Sequence, residues 1–170
     1  VGPGDGVVTT PRTFIASASA AVMRGAMPVF ADVDRESGNL TADTVAPVLT
    51  DRTKAIVAVH LAGWPVDMAP LMDLARSRGI AVIEDASQAH GATIDGTPVG
   101  AFGDLAAFSF CQDKNITTGG EGGLLALDDE AMWRDAWAYK DHGKSYEAIY
   151  EREDDGVGYK RVYESFGTNW

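Results

Sequence analysis

A chain of 170 residues with 45% hydrophobic content is long enough to build one full core and has the composition of an ordinary soluble globular protein. Its net charge of −11 argues against non-specific binding to nucleic acid, which needs a cationic footprint, but leaves room for a phosphorylated small molecule in a locally positive site. No apolar run reaches the length of a membrane span, no leader-like segment opens the chain, and the lone Cys111 excludes an internal disulfide framework and suits a reducing cytoplasm.

Val7, Val8, Thr9 and Thr10 predict a short strand ended by Pro11, and small and apolar residues over 14–23 predict a helix stopped at Gly25. Residues 28–33 are strand-like. Thr41 can cap a helix running to Leu49. The β-branched, wholly apolar run 55–59 has the pattern of a parallel strand buried on both faces. Met68, Leu71, Met72 and Ala75 fall at helical spacing, and Gly79 ends that helix. Residues 80–83, 105–110 and 124–127 predict three further buried strands, and residues 129–139 a helix with Met132, Trp133, Ala136 and Trp137 on one side. Strands alternating with helices imply an α/β fold with a mainly parallel sheet. The charged, tyrosine-rich stretch 140–164 predicts a long surface excursion. Both ends have the look of interior sequence, so the expectation is a piece of a longer polypeptide.

The stretch 108–123 organises the chain. An apolar strand ends in Phe108, Ser109 and Phe110, and a polar, glycine-rich loop carrying Lys114 follows. A lysine just past a buried strand is either a Schiff-base nucleophile or a surface residue of a loop. Ligands of open α/β sheets sit beyond the carboxyl ends of strands, where Asp85, His60 and the Lys114 loop all fall. Asp85 could equally cap a helix. His60 and His90, taken singly, suggest satisfied structural histidines, and no histidine pair is backed by cysteines at ligand spacing, so no metal site is expected. Cys111 suggests a small buried hydrophobe. The glycines follow Lys114 rather than precede it, which excludes a Walker phosphate loop.

Two phrases, Glu84 to Gly91 (EDASQAHG) and Phe108 to Gly123 (FSFCQDKNITTGGEGG), closely resemble the DegT/DnrJ/EryC1/StrS family of pyridoxal-phosphate-dependent sugar aminotransferases. The opening residues 3–14, the run 25–34 and the closing Gly167, Thr168, Asn169 and Trp170 match as well, so the resemblance spans essentially the whole chain. It implies an aspartate-aminotransferase-like large domain (fold type I of the pyridoxal-phosphate enzymes) over residues 1–170. The N-terminal helix that helps hold the cofactor phosphate and the C-terminal small domain are expected to be absent. The resemblance further implies that Lys114 binds the cofactor and relays a proton, and that Asp85 pairs with the pyridine nitrogen. Gln88 would contact the phenolic oxygen, Ser109 the phosphate and Phe14 the ring face. Asn169 would reach the phosphate of a partner subunit in a homodimer. The paired glycines 119 and 120 depart from the single glycine of many relatives.

The function implied is transfer of an amino group, with glutamate as donor, to a keto-sugar nucleotide. A non-sugar cyclic ketone as acceptor and a non-catalytic regulator that kept the fold are the alternatives. Sugar dehydratases of the same family carry histidine at the lysine position, which Lys114 disfavours.

Overall fold

The apolar run read from residues 55–59 becomes the middle of a sheet. The computed structural model describes residues 1–151 and 162–168. In chain order the elements are β1 (Gly6–Thr9), α1 (Ala16–Met23), β2 (Met27–Phe30), α2 (Ala42–Val45), β3 (Thr53–Val59), α3 (Met68–Arg78), β4 (Ala81–Asp85), β5 (Thr93–Ile94), β6 (Thr97–Pro98), β7 (Leu105–Ser109), β8 (Gly123–Ala126) and α4 (Glu130–Lys140). Short 3-10 turns lie at Ala46–Val48 and Leu61–Gly63, and a π-helical turn at Glu147–Glu151. Two compact units result, Val1–Ala126 and Leu127–Trp170.

The first unit holds a six-stranded sheet in the order β2-β1-β3-β4-β7-β8. Pairings from β2 through β7 are parallel, and β8 closes the edge antiparallel to β7. Successive side chains of a strand point to opposite faces, and each face has its own core. Val8, Ile56, Ala58 and Val82 pack with Met68, Leu71, Met72 and Ala75 of α3. Val7, Ala55, Val57 and Val59 face the other way, toward Ala21 and Ala26. Fully burying a side chain such as Ile56 or Leu71 contributes about 1.5–3 kcal/mol, so the sheet is anchored where its central strand is covered twice. The hydrogen bonds of Gly79 N–H to Arg76 (3.2 Å) and Ile80 N–H to Ala75 (3.0 Å) close α3 as a Schellman turn, with Gly79 at φ 64°.

Three expectations change. The helix predicted over 41–49 is split: a Thr41–Thr44 capping box starts α2, and a 3-10 turn containing Pro47 takes over at Ala46 because proline cannot donate within the helix. The hairpin β5–β6 was not expected; Asp95 (φ 50°) and Gly96 (φ 83°) form its turn. Of the predicted surface excursion 140–164, residues 152–161 lie outside the described residues. What precedes them includes a packed aromatic group rather than only solvated loop: Tyr146 meets Trp133 and Trp137 edge-on, and Arg134 pairs with Glu130 and Glu151.

The register aligns the strand ends that matter. Val59 pairs with Asp85 and Asp85 with Ala107, so the carboxyl ends of β3 and β4 reach one level and β7 runs two residues past it, to Ser109. The main-chain ladder continues one step beyond, from His60 N–H to the carbonyl of Asp85 (3.1 Å) and from Ala86 N–H to that of Ala107 (2.9 Å).

Candidate functional site

Beyond those strand ends lies a cleft of about 380 Å³. Phe14, Asp85, Gln88, Ser109 and Lys114, five residues singled out from the sequence, all line it. Asn169, the sixth, lies outside the described residues.

Asp85 ends β4 and is held from two sides. Its Oδ2 accepts the Ser17 hydroxyl at 2.7 Å, and its Oδ1 accepts the Ser87 N–H at 3.2 Å. It caps no helix; the short chain that follows β4 turns back through Ala89 N–H to Ala86 (3.0 Å). Gln88 Oε1 accepts the N–H of Ala62 at 2.7 Å, and among the described residues the amide nitrogen of Gln88 has no acceptor, so it can donate to a ligand. Ala62 itself takes φ 55°, an unusual conformation for a residue with a Cβ. Ser109 Oγ accepts the N–H of Cys111 at 3.3 Å, so the serine proton remains available to an anion. Phe14 is 71% exposed and offers an uncovered ring.

Lys114 is no freely solvated surface residue. Its side chain is 19% exposed, with Nζ 3.6 Å from the carboxylate of Asp113. The loop that carries it folds back on β7 and β8. Phe110 N–H donates to Gly122 (2.8 Å), Thr118 N–H to Phe110 (3.0 Å), and the Thr118 hydroxyl reaches Glu121 (3.1 Å). Two of the glycines are closely approached by their neighbours. A Cβ on Gly122 would lie 2.8 Å from the Thr118 methyl, and one on Gly123 would lie 3.1 Å from the Phe108 carbonyl.

Cys111 is corrected from buried hydrophobe to half-buried cleft residue whose thiol donates to Glu121 at 3.3 Å. The Asp113 N–H draws its pKa down, but the Glu121 carboxylate and burial push it up further, above the ordinary thiol range. It is held as a thiol, not as a nucleophilic thiolate. His60 is the satisfied structural histidine expected: fully buried, it donates from Nε2 to Glu84 at 3.0 Å and accepts the Val66 N–H on Nδ1 at 3.0 Å. His90 differs from that expectation. It packs beside Phe108 and Phe110, and neither ring nitrogen has a hydrogen-bond partner among the described residues.

Sequence reasoning missed Thr13, Ser17 and Glu121 in the cleft wall. Thr13 and Ser17 carried a usable signal, two hydroxyls four residues apart at the head of a predicted helix and hence on one face. Among the described residues no cluster of side chains could hold a metal ion, and no helix is long and apolar enough to cross a membrane.

Parallel strands that deliver an amine, a carboxylate and hydroxyl donors to one cleft define an α/β protein equipped for an anionic organic ligand. The chain belongs to the DegT/DnrJ/EryC1/StrS aminotransferase family, whose profile matches residues 1–164. That family is pyridoxal-phosphate-dependent. The chain is 45% identical over 143 residues to the UDP-N-acetyl-3-dehydro-alpha-D-glucosamine 3-aminotransferase of Acidithiobacillus ferrooxidans, covering 84% of this chain and 39% of that protein. It is 38% identical over 160 residues to the GDP-perosamine synthase of Escherichia coli O157:H7, covering 94% of this chain and 44% of that one. A solved aminotransferase from Psychrobacter cryohalolentis superposes with a TM-score of 0.97 at 59% identity, over 100% of this chain and 43% of the other. The chain thus spans under half the length of these relatives.

Proposed function

We propose that this chain forms the pyridoxal-phosphate-binding large domain of an aminotransferase that moves an amino group from glutamate to a keto-sugar nucleotide. The observation that carries the reading is the convergence of Lys114 and Asp85 on one cleft, from a loop after β7 and from the end of β4. The sugar-nucleotide relatives support the acceptor class.

The donor set fits the cofactor. In this reading Lys114 holds the aldehyde, Asp85 faces the ring nitrogen, the amide nitrogen of Gln88 meets the phenolic oxygen, Ser109 donates to the phosphate, and Phe14 covers one ring face. Asn169 would serve the phosphate of a partner subunit in a homodimer. Pyridoxal phosphate, when bound, supplies an aldehyde that joins amines and an electron-withdrawing ring. The protein contributes position and protons. Asp85, fixed by Ser17 and Ser87, would face the ring nitrogen as its proton partner, and the Lys114 amine would serve as the base that moves a proton at the donor's α-carbon. The net exchange would turn glutamate into its oxo acid and the keto sugar into an amino sugar, the amino group lost by one being gained by the other. The lone free thiol of Cys111 accords with a cytoplasmic enzyme.

The test is product analysis of the full-length protein with glutamate and a panel of keto-sugar nucleotides, beside Lys114→Ala. An aminated sugar from the parent and none from the variant is expected. A variant that kept the rate would overturn the assignment of Lys114.

A further inference from the structure

Behind Asp85 stands a pair of hydroxyls, Ser17 in direct contact with it and Thr13 one step further back. Ser17 Oγ lies 2.7 Å from Asp85 Oδ2, and Thr13 Oγ1 lies 2.9 Å from Ser17 Oγ. A carboxylate can only accept, so the single Ser17 proton points to Asp85. With that proton committed, the contact between the two hydroxyls must run from Thr13 as donor to a lone pair of Ser17. The direction of the whole chain is fixed by its end.

Ser17 is 7% exposed, so water competes little for its hydroxyl. Thr13 and Ser17 sit at the head of α1, whereas Asp85 ends β4, 68 positions beyond Ser17. Thr13, Ser17 and Asp85 all border the same cleft. Among the described residues, Asp85 Oδ1 has only the longer contact from Ser87 N–H, at 3.2 Å. Ser17 is therefore the principal donor to this carboxylate, and its hydrogen bond belongs to the stronger, charge-assisted class.

We propose that Thr13 and Ser17 are positioning residues for Asp85, a one-way chain of hydroxyl donors that orients the carboxylate toward the cleft. The inference rests on the cofactor reading, in which Asp85 shares a proton with the ring nitrogen of pyridoxal phosphate. Removing Ser17's hydroxyl takes away the shorter of the two contacts that fix the carboxylate, so the group turns out of line with the ring nitrogen, which then holds its proton less well.

The experiment uses the full-length protein loaded with pyridoxal 5'-phosphate labelled with nitrogen-15 in the ring. The label's chemical shift is read by NMR and the dissociation constant by titration. Ser17→Ala is expected to move the shift toward the unprotonated ring and to weaken binding by about tenfold, the loss of one charge-assisted hydrogen bond. Ser17→Thr, which keeps a hydroxyl, restores both. Thr13→Val moves both in the same direction by less, about threefold in affinity. A purely structural role would lower thermal stability and leave the nitrogen shift in place.

A parental shift in folded Ser17→Ala overturns the inference and spares the cofactor reading. Should Ser17→Ala not fold, Thr13→Val carries the test, and an unmoved shift there overturns the inference. A parent protein that binds no pyridoxal phosphate overturns the cofactor reading and this inference with it.

Discussion

Replacing Glu84 with glutamine should unfold much of what holds the site, because this side chain is a fully buried acceptor with four donors. Oε1 takes the N–H groups of Phe102 (2.8 Å) and Gly103 (2.7 Å). Oε2 takes Gly100 N–H (2.8 Å) and His60 Nε2–H (3.0 Å). His60 cannot reverse its tautomer without facing the Val66 N–H with a second proton. A glutamine presents one NH₂ in place of one oxygen, and either orientation sets it against two donors. Two hydrogen bonds to a charge are lost, at about 1.5–3 kcal/mol each, or about 3–6 kcal/mol together. That is a large share of the roughly 5–15 kcal/mol that stabilises a domain. The assay is urea unfolding of the parent and Glu84→Gln by circular dichroism, compared at their midpoints. A loss below about 1 kcal/mol would refute the reasoning.

The pH dependence has a definite sign. Burial pushes the Glu84 carboxyl up, but His60 and the N–H groups of Gly103, Gly100 and Phe102 outweigh it, leaving the folded pKa below the ordinary value of 4.5. The carboxylate's stabilisation is full above that ordinary value and disappears as pH falls through the folded one. The gap between parent and Glu84→Gln therefore narrows in acid and persists at neutrality.

Two further substitutions probe the packing. Gly103→Ala places a Cβ 2.7 Å from the backbone carbonyl of Val82 and 3.3 Å from Glu84 Cγ, and should cost about 1–3 kcal/mol in the same unfolding assay; an unchanged midpoint would contradict the close approach. Asp129→Ala removes the cap of α4, whose Oδ1 accepts Met132 N–H at 2.7 Å, and should cost about 1 kcal/mol with reduced helical signal; no change in either would show the cap to be idle.

The parts that were legible in the sequence are those set by local pattern. β3 was readable because its apolar run serves two cores, and α3 because Met68, Leu71, Met72 and Ala75 repeat at helical spacing before Gly79. The grouping of Asp85, Gln88, Ser109 and Lys114 was legible through family motifs, not through periodicity. What stayed hidden is long-range. Nothing near Glu84 announces that its carboxylate gathers N–H groups 16 to 19 positions later, and nothing near Ser17 announces Asp85. The β5–β6 hairpin was missed because its strands are two residues each, too short for alternation to register, although Asp95 and Gly96 are turn residues. Cys111 was misjudged because its environment depends on how the loop to Glu121 folds back.

The central claim is that Lys114 and Asp85 serve one bound pyridoxal phosphate, and the absorption spectrum of the purified full-length protein tests it most directly. The account predicts a long-wavelength band from the cofactor joined to Lys114, which glutamate converts to the shorter-wavelength band of the aminated cofactor. Lys114→Ala should lack the first band. A colourless parent protein, or a band that neither glutamate nor Lys114→Ala alters, would contradict the claim.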